Sequence, residues 1–290
     1  MLFTVSSYSY IRLIRDGQMT QKDCIAKAKE MGFDGIEFSE FVHDDNVSDL
    51  EHAAILREEA ERCNMPIVNW AFGCDFLTGC GGDTAAEIER VKKMIDAAAV
   101  LGVSQVRHDC TGGFAPGTRG WKGFDSVLPV LAASCREVTA YAKEKGIRTM
   151  VENHGFFSQD SDRVEKLVNA VADDNFGLLV DIGNFTCADE DPRTAVGRVA
   201  PYAFHAHAKD FHIRHRELPD PGQGFFQSRA GTYLRGAIIG HGDVPVKACL
   251  AALKKTGYDK TISVEFEGME DPLTGIAIGA ENLRRYWEEA

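Results

Sequence analysis

Short apolar runs alternate with longer amphipathic stretches from one end of this chain to the other, and that alternation limits the fold more than any other feature. Strand-like runs cover residues 2–6, 35–38, 66–72, 105–108, 148–152, 177–181, 203–208 and 261–266. Helical periodicity covers residues 20–31, 47–64, 84–101, 124–145, 162–172, 192–200, 246–256 and 276–289. Alternating strands and helices make parallel strands joined by right-handed crossovers. Gly32, Gly102, Gly146 and Gly257 each separate a helical stretch from the strand after it. That is the place where a left-handed residue closes a helix. The pattern predicts an α/β fold, a (β/α)8 TIM barrel, as a single domain over residues 1–290. An open doubly wound sheet would want a glycine-rich turn after the first strand. Val5-Ser6-Ser7-Tyr8-Ser9-Tyr10 has no glycine.

One connection is abnormally long. Between the seventh strand and the seventh helix, residues 209–243 far exceed the usual 2–6 residues of such loops. The insertion carries Pro219, Pro221, Arg214, Arg216, Arg229 and Arg235. It leaves the C-terminal face of the barrel, where active sites of this fold lie. Arg214 is therefore a candidate substrate contact. Packing of the same loop on a neighbouring copy, in a homo-oligomer, is the competing expectation.

Charge narrows the partners. Lys and Arg number 32 against 44 Asp and Glu, a formal net charge of −12. That field repels phosphodiester backbones, so nucleic acid is not an expected partner. The eight cysteines are scattered without a C-x-x-C pair, which fits reduced thiols better than a disulfide framework or a thiolate zinc site. The first residues lack a basic start followed by an apolar core, and no apolar run approaches about 18 residues. The expectation is a cytoplasmic chain without a membrane partner.

The chemistry sits where strands end. The fifth strand closes Val151-Glu152-Asn153-His154 and the sixth Val180-Asp181-Ile182-Gly183-Asn184. The seventh reads His205-Ala206-His207-Ala208-Lys209-Asp210 and the eighth Val264-Glu265-Phe266-Glu267. Four successive strands thus bring Glu, Asp, His and Glu to one rim, and strand-end residues of such barrels read as catalytic. Three carboxylates with one imidazole form a hard, oxygen-rich donor set. It suits one divalent metal ion, with Mn2+ first and Mg2+, Co2+ or Zn2+ as alternatives.

These motifs resemble the xylose isomerase-like TIM barrel superfamily, in its sugar phosphate isomerase/epimerase branch, which includes ketose 3-epimerases and inosose dehydratases. The resemblance implies Glu152, Asp181, His207 and Glu265 as metal ligands, with Glu152 and Glu265 also acting as the acid–base pair. His207-Ala208-Lys209-Asp210 is similar to the H-x-K-D run of the inosose-dehydratase-like members. The implied activity is isomerisation or epimerisation of a small sugar or polyol, by proton transfer through a metal-stabilised enediolate. The alternative is a metal-dependent lyase acting on a keto-inositol or a 3-oxo-glycoside. Abasic-site endonucleases of the same superfamily need further histidines. This chain has Asn184 three residues after Asp181, and Asn69 and Trp70 near the end of the third strand. A non-catalytic binding barrel is the last alternative, and an intact quartet argues against it.

Further substrate contacts are expected from His108 after the fourth strand, and from His154, Asn184 and Lys209. Lys209 could neutralise an enediolate or pair with Asp210. Trp70, with Phe72, could wall a sugar face. His205, on the same strand face as His207, is expected deeper in the barrel.

Overall fold

Six helices begin on a side chain that accepts a backbone amide hydrogen, which satisfies donors a helix start otherwise leaves orphaned. Thr20 and Ser48 do so in full capping boxes with Asp23 and Glu51, opening α2 (Gln21–Glu30) and α3 (Asp49–Cys63). Asp83, Asp160, Asp191 and Asp271 cap α4 (Thr84–Leu101), α6 (Ser161–Val171), α7 (Pro192–Val199) and α9 (Pro272–Glu289). The short α1 (Ile11–Arg15), α5 (Phe124–Glu144) and α8 (Val246–Lys255) complete the set. Gly102 closes α4 at φ 84°, a left-handed conformation that costs a residue without Cβ nothing. The computed structural model describes residues 1–44, 46–120 and 122–290.

Eight strands close a barrel: β1 (Leu2–Ser6), β2 (Gly35–Ser39), β3 (Ile67–Phe72), β4 (Gln105–His108), β5 (Arg148–Glu152), β6 (Phe176–Asp181), β7 (Ala203–Ala208) and β11 (Thr261–Val264). Each pairs in parallel with the next, and β11 closes on β1. Outward residues such as Ile36, Phe38, Val106, Val180 and Val264 pack with helix residues such as Ile25, Leu56, Ile95 and Leu131 in one continuous core. At about 1.5–3 kcal/mol for each large side chain removed from water, this layer is the main stabilising term.

Strand alternation sends the opposite set inward. Inside the barrel, Thr4 and Ser263 share a 2.7 Å hydrogen bond, and His205 Nε2 lies 3.0 Å from Ser263 Oγ. Asn69 donates to Glu37 Oε2 at 3.1 Å. These bonds pair part of the polar axis, while Asn69 Oδ1 and Asp181 Oδ2 among others make none.

The long insertion contains a ribbon. β8 (Asp210–Arg214) pairs antiparallel with β10 (Tyr233–Ala237), which pairs with β9 (Phe226–Gln227). Its base is fastened by Asp210, whose carboxylate accepts four backbone amides: Phe211, Gly240, Gly242 and Val244 at 2.8–3.0 Å. A Cβ on Gly242 would stand 2.2 Å from Asp210 Oδ1, so only glycine lets the chain come this close. Lys209 and Asp210 therefore do not pair with each other. No described helix is long and apolar enough to cross a membrane.

Candidate metal centre

β5, β6, β7 and β11 are neighbours in the ring, and their C-terminal ends bring Glu152, Asp181, His207 and Glu265 together. One donor atom from each lies within 4.8 Å of the other three. Donors about 2.1 Å from a shared ion stand roughly 4.2 Å apart across it, so the quartet needs only slight contraction to hold one. Asp181 is fully buried, and its two oxygens are used differently. Oδ1 accepts from the amides of Gly183 and Asn184 at 2.8 and 2.9 Å, whereas Oδ2 makes no hydrogen bond. His207 Nδ1 is likewise buried without a hydrogen-bond partner, 3.7 Å from Asp181 Oδ2 and 3.5 Å from Glu265 Oε2. Unpartnered buried polar atoms are costly. Two atoms without hydrogen bonds converge beside two carboxylates, with the Lys209 ammonium 3.2 Å from Asp181 Oδ2 as the nearest positive charge, and the residues present fit a divalent ion.

Supporting charges set the orientation. Glu37, on β2, lies beneath His207, with Oε1 2.5 Å from His207 Nε2 and Oε2 2.9 Å from His205 Nε2. Burial pushes Glu37 up, but His207 and His205 pull it well below the usual carboxylate range. It is therefore ionised and holds the His207 ring with Nδ1 toward the quartet. Lys209 Nζ lies 2.5 Å from Glu265 Oε2, 3.0 Å from Glu267 Oε1, and 3.2 Å from both Asp181 Oδ2 and Asn184 Oδ1.

The two glutamates occupy different environments. Burial raises Glu152, offset only in part by Arg107. Burial also pushes Glu265 up, but Lys209 and His207 outweigh it and hold that carboxyl well below its ordinary value. Glu152 is gripped at both oxygens: Asn184 donates to Oε1 at 2.8 Å, and Arg107 Nε lies 2.6 Å from Oε2. Asp109 takes the other edge of Arg107 at 3.1 Å and accepts from His154 Nδ1 at 3.1 Å. Burial raises Asp109, but Arg107 and His154 bring it down to about 2.

A cavity of about 200 Å3 opens above these groups, below the range of drug-sized pockets and suited to one small polyol. Among its walls are Glu152, His154, His207, Lys209 and Glu265, as the sequence leads one to expect. Asn184 stands behind them, bonded to Glu152 and Lys209.

Three expected contacts lie elsewhere. His108 faces outward from β4 among Phe72, Phe76 and Phe176, and burial lowers it to about 4. Trp70 is fully buried on the outside of β3, stacked on Phe41 at 4.0 Å. Arg214 lies on the ribbon, where Nε donates to the Pro219 carbonyl at 3.3 Å, and no ribbon residue lines the cavity. His108 and Trp70 fail for one reason: alternation gives the barrel mouth to Arg107 and Ala71 instead. Sequence reasoning overlooked Arg107, Asp109, Glu37 and Glu267, and also Tyr8 and Glu40, which line the same cavity. The alternation Gln105-Val106-Arg107-His108 was the available signal for Arg107.

The family described as xylose isomerase-like TIM barrel matches residues 25–286. A curated relative, the uncharacterised Escherichia coli (strain K12) protein YihM, is 27% identical over 188 residues, 65% of this chain and 51% of its own length. The alignment thus spans about half the length of that relative. Among solved structures, the IOLI protein with a bound zinc atom superposes with a TM-score of 0.76 at 17% identity, covering 100% of this chain and 99% of that one. D-allulose 3-epimerase from Methylomonas sp. superposes with a TM-score of 0.72 at 15% identity, covering 99% and 98%. At these identities the likeness of the two structures is one of fold.

Proposed function

This chain belongs to the xylose isomerase-like TIM barrel family, and from that premise we propose that it is a divalent-metal-dependent isomerase or epimerase of a small sugar or polyol. One observation carries the reading: Asp181 Oδ2, with the Lys209 ammonium at 3.2 Å but no hydrogen bond, and His207 Nδ1, also without one, converge in burial between Glu152 and Glu265. Glu152, Asp181, His207 and Glu265 would hold the ion. Their carboxylate-rich chemistry favours Mn2+ over metals that prefer sulfur or several imidazoles. When bound, such an ion supplies Lewis-acid polarisation of substrate oxygens, which acidifies the adjacent C–H.

The chain's own groups divide the proton work. Glu265 is ionised at neutral pH and stands at one end of the quartet, a suitable base. Glu152 stands at the other end, and its raised pKa suits it to hold and deliver a proton. Environments that push paired carboxyls apart are how one site runs both acid and base chemistry. Arg107 and Asn184 keep Glu152 in place, and Lys209 Nζ, 2.5 Å from Glu265 Oε2, holds that carboxylate ionised. A base and an acid on opposite sides of one carbon invert it.

The test is turnover of ketoses by the Mn2+-loaded protein in deuterated water, with Glu152→Gln and Glu265→Gln as variants. Inversion with solvent deuterium at the reacting carbon is expected. Each variant should lose about 10²–10⁴-fold in rate, the usual contribution of general acid–base catalysis. Wild-type rates in both variants, with metal retained by elemental analysis, would refute the proton-transfer roles. Loss of water from the substrate instead would assign the same residues to a lyase.

A further inference from the structure

β2 lies four strands from β6 in either direction around the ring, so Ser39 and Glu40 face Asp181 across the mouth. Glu40 sits just past the end of β2 with φ 32°, a left-handed conformation that residues other than glycine adopt only where their surroundings enforce it. Here the enforcement is visible. Its amide donates to the Ala71 carbonyl at 2.8 Å, its own carbonyl accepts from Gln21 Nε2 at 2.7 Å, and its Oε1 accepts from the Gly73 amide at 2.6 Å. The second carboxylate oxygen stays available on a side chain that lines the cavity.

Charge around the cavity is one-sided. Glu40, Asp109, Glu152, Glu265 and Glu267 line it, against two permanent cations, Arg107 and Lys209. Both cations are already engaged. The guanidinium of Arg107 lies between Glu152 and Asp109, and Lys209 lies among Asp181, Glu265 and Glu267. With Asp181 behind the wall, six carboxylates stand against these two cations, a surplus of four negative charges, of which a divalent ion at the quartet and a proton on Glu152 would offset three. An anionic substrate group needs a free guanidinium or ammonium, and the cavity wall has none to offer. Hydroxyl groups need acceptors, and those are plentiful.

We infer that the substrate is an uncharged polyhydroxy ketone, bearing neither phosphate nor carboxylate. Glu40 and Asp109 accept hydrogen bonds from its hydroxyls at the end away from the quartet. This rests on the sugar or polyol reading above and narrows it. Placing an anion beside like charges costs far more than placing a neutral group there, so discrimination should be large and should depend on those two carboxylates.

The experiment is calorimetric titration of the Mn2+-loaded protein with unphosphorylated ketohexoses and keto-inositols, their phosphate esters, and the corresponding sugar acids. At least one neutral ketone should bind about 10-fold or more tighter than its phosphate ester. Glu40→Gln keeps an acceptor for the Gly73 amide, and Asp109→Asn releases one edge of Arg107. Either change should narrow that ratio by about 10-fold. A phosphate ester or acid binding as tightly as its neutral parent overturns this inference and leaves the sugar reading standing. An unchanged ratio in both variants, each still folded by thermal melting, overturns the roles of Glu40 and Asp109. If no member of the panel binds although the protein holds its metal, the sugar reading fails and this inference fails with it.

Discussion

Glu37 determines which nitrogen of His207 reaches the quartet. Its ionised carboxylate lies against Nε2 of both His205 and His207, so the lone pair of His207 Nδ1 is left to face Asp181 and Glu265. Partners of this kind behind a metal-binding histidine usually contribute 10–100-fold to metal affinity. Glu37→Gln preserves volume but removes the charge, and Mn2+ affinity is expected to fall by about that factor. Calorimetric titration of the metal checks it, and unchanged affinity would mean that Glu37 only fills the barrel axis. Glu37 was not legible in the sequence because it lies within a short strand that otherwise reads as apolar, Gly35-Ile36-Glu37-Phe38. The quartet was legible because four ionisable residues end four successive strands. Arg107 was missed through strand parity, since shifting attention by one residue to His108 exchanges the inside of the barrel for the outside.

At the scale of elements, all described helices but the five-residue, uncapped α1 were readable to within a few residues, helped where their ends are chemical: side-chain caps at the start and left-handed residues at the close. The ribbon was not. β9 has two residues, and β8 (Asp210-Phe211-His212-Ile213-Arg214) and β10 (Tyr233-Leu234-Arg235-Gly236-Ala237) are polar-rich runs that pair across a segment rich in proline and glycine, where loop composition masks them. Its stability also depends on one side chain that pattern reading ignores. Asp210 gathers four backbone amides, and removing a buried, charged acceptor leaves those donors unsatisfied. Asp210→Ala should cost about 2–4 kcal/mol in denaturant unfolding. Arg214→Ala, which gives up one surface contact to Pro219, should stay within about 0.5 kcal/mol of wild type. Equal losses from the two changes would show that Asp210 does not fasten the ribbon.

For the whole molecule, the closed ring joins metal affinity to stability and makes both depend on pH. In the metal-free protein burial lowers His207, but Glu37 and Glu265 raise it further, well above 6.5. A raised histidine contributes stability that is complete below pH 6.5 and is lost as pH climbs through the folded value. Glu152, raised by burial, has the same sign: its contribution is present below its ordinary value and fades as pH rises through the folded one. A divalent ion requires His207 Nδ1 deprotonated, so its binding releases a proton and strengthens with pH. The metal-free protein should therefore lose stability as pH rises above about 6.5, while the increment added by Mn2+ grows. A hundredfold excess over Kd supplies about 2.7 kcal/mol. For a chain of this length that raises Tm by about 5 °C, at roughly 2 °C per kcal/mol. Thermal melts with chelator and with Mn2+ at several pH values measure the increment directly. Calorimetry in buffers of different ionisation enthalpy counts the protons released. An increment that shrinks with rising pH, or uptake without proton release, would place the ion away from His207.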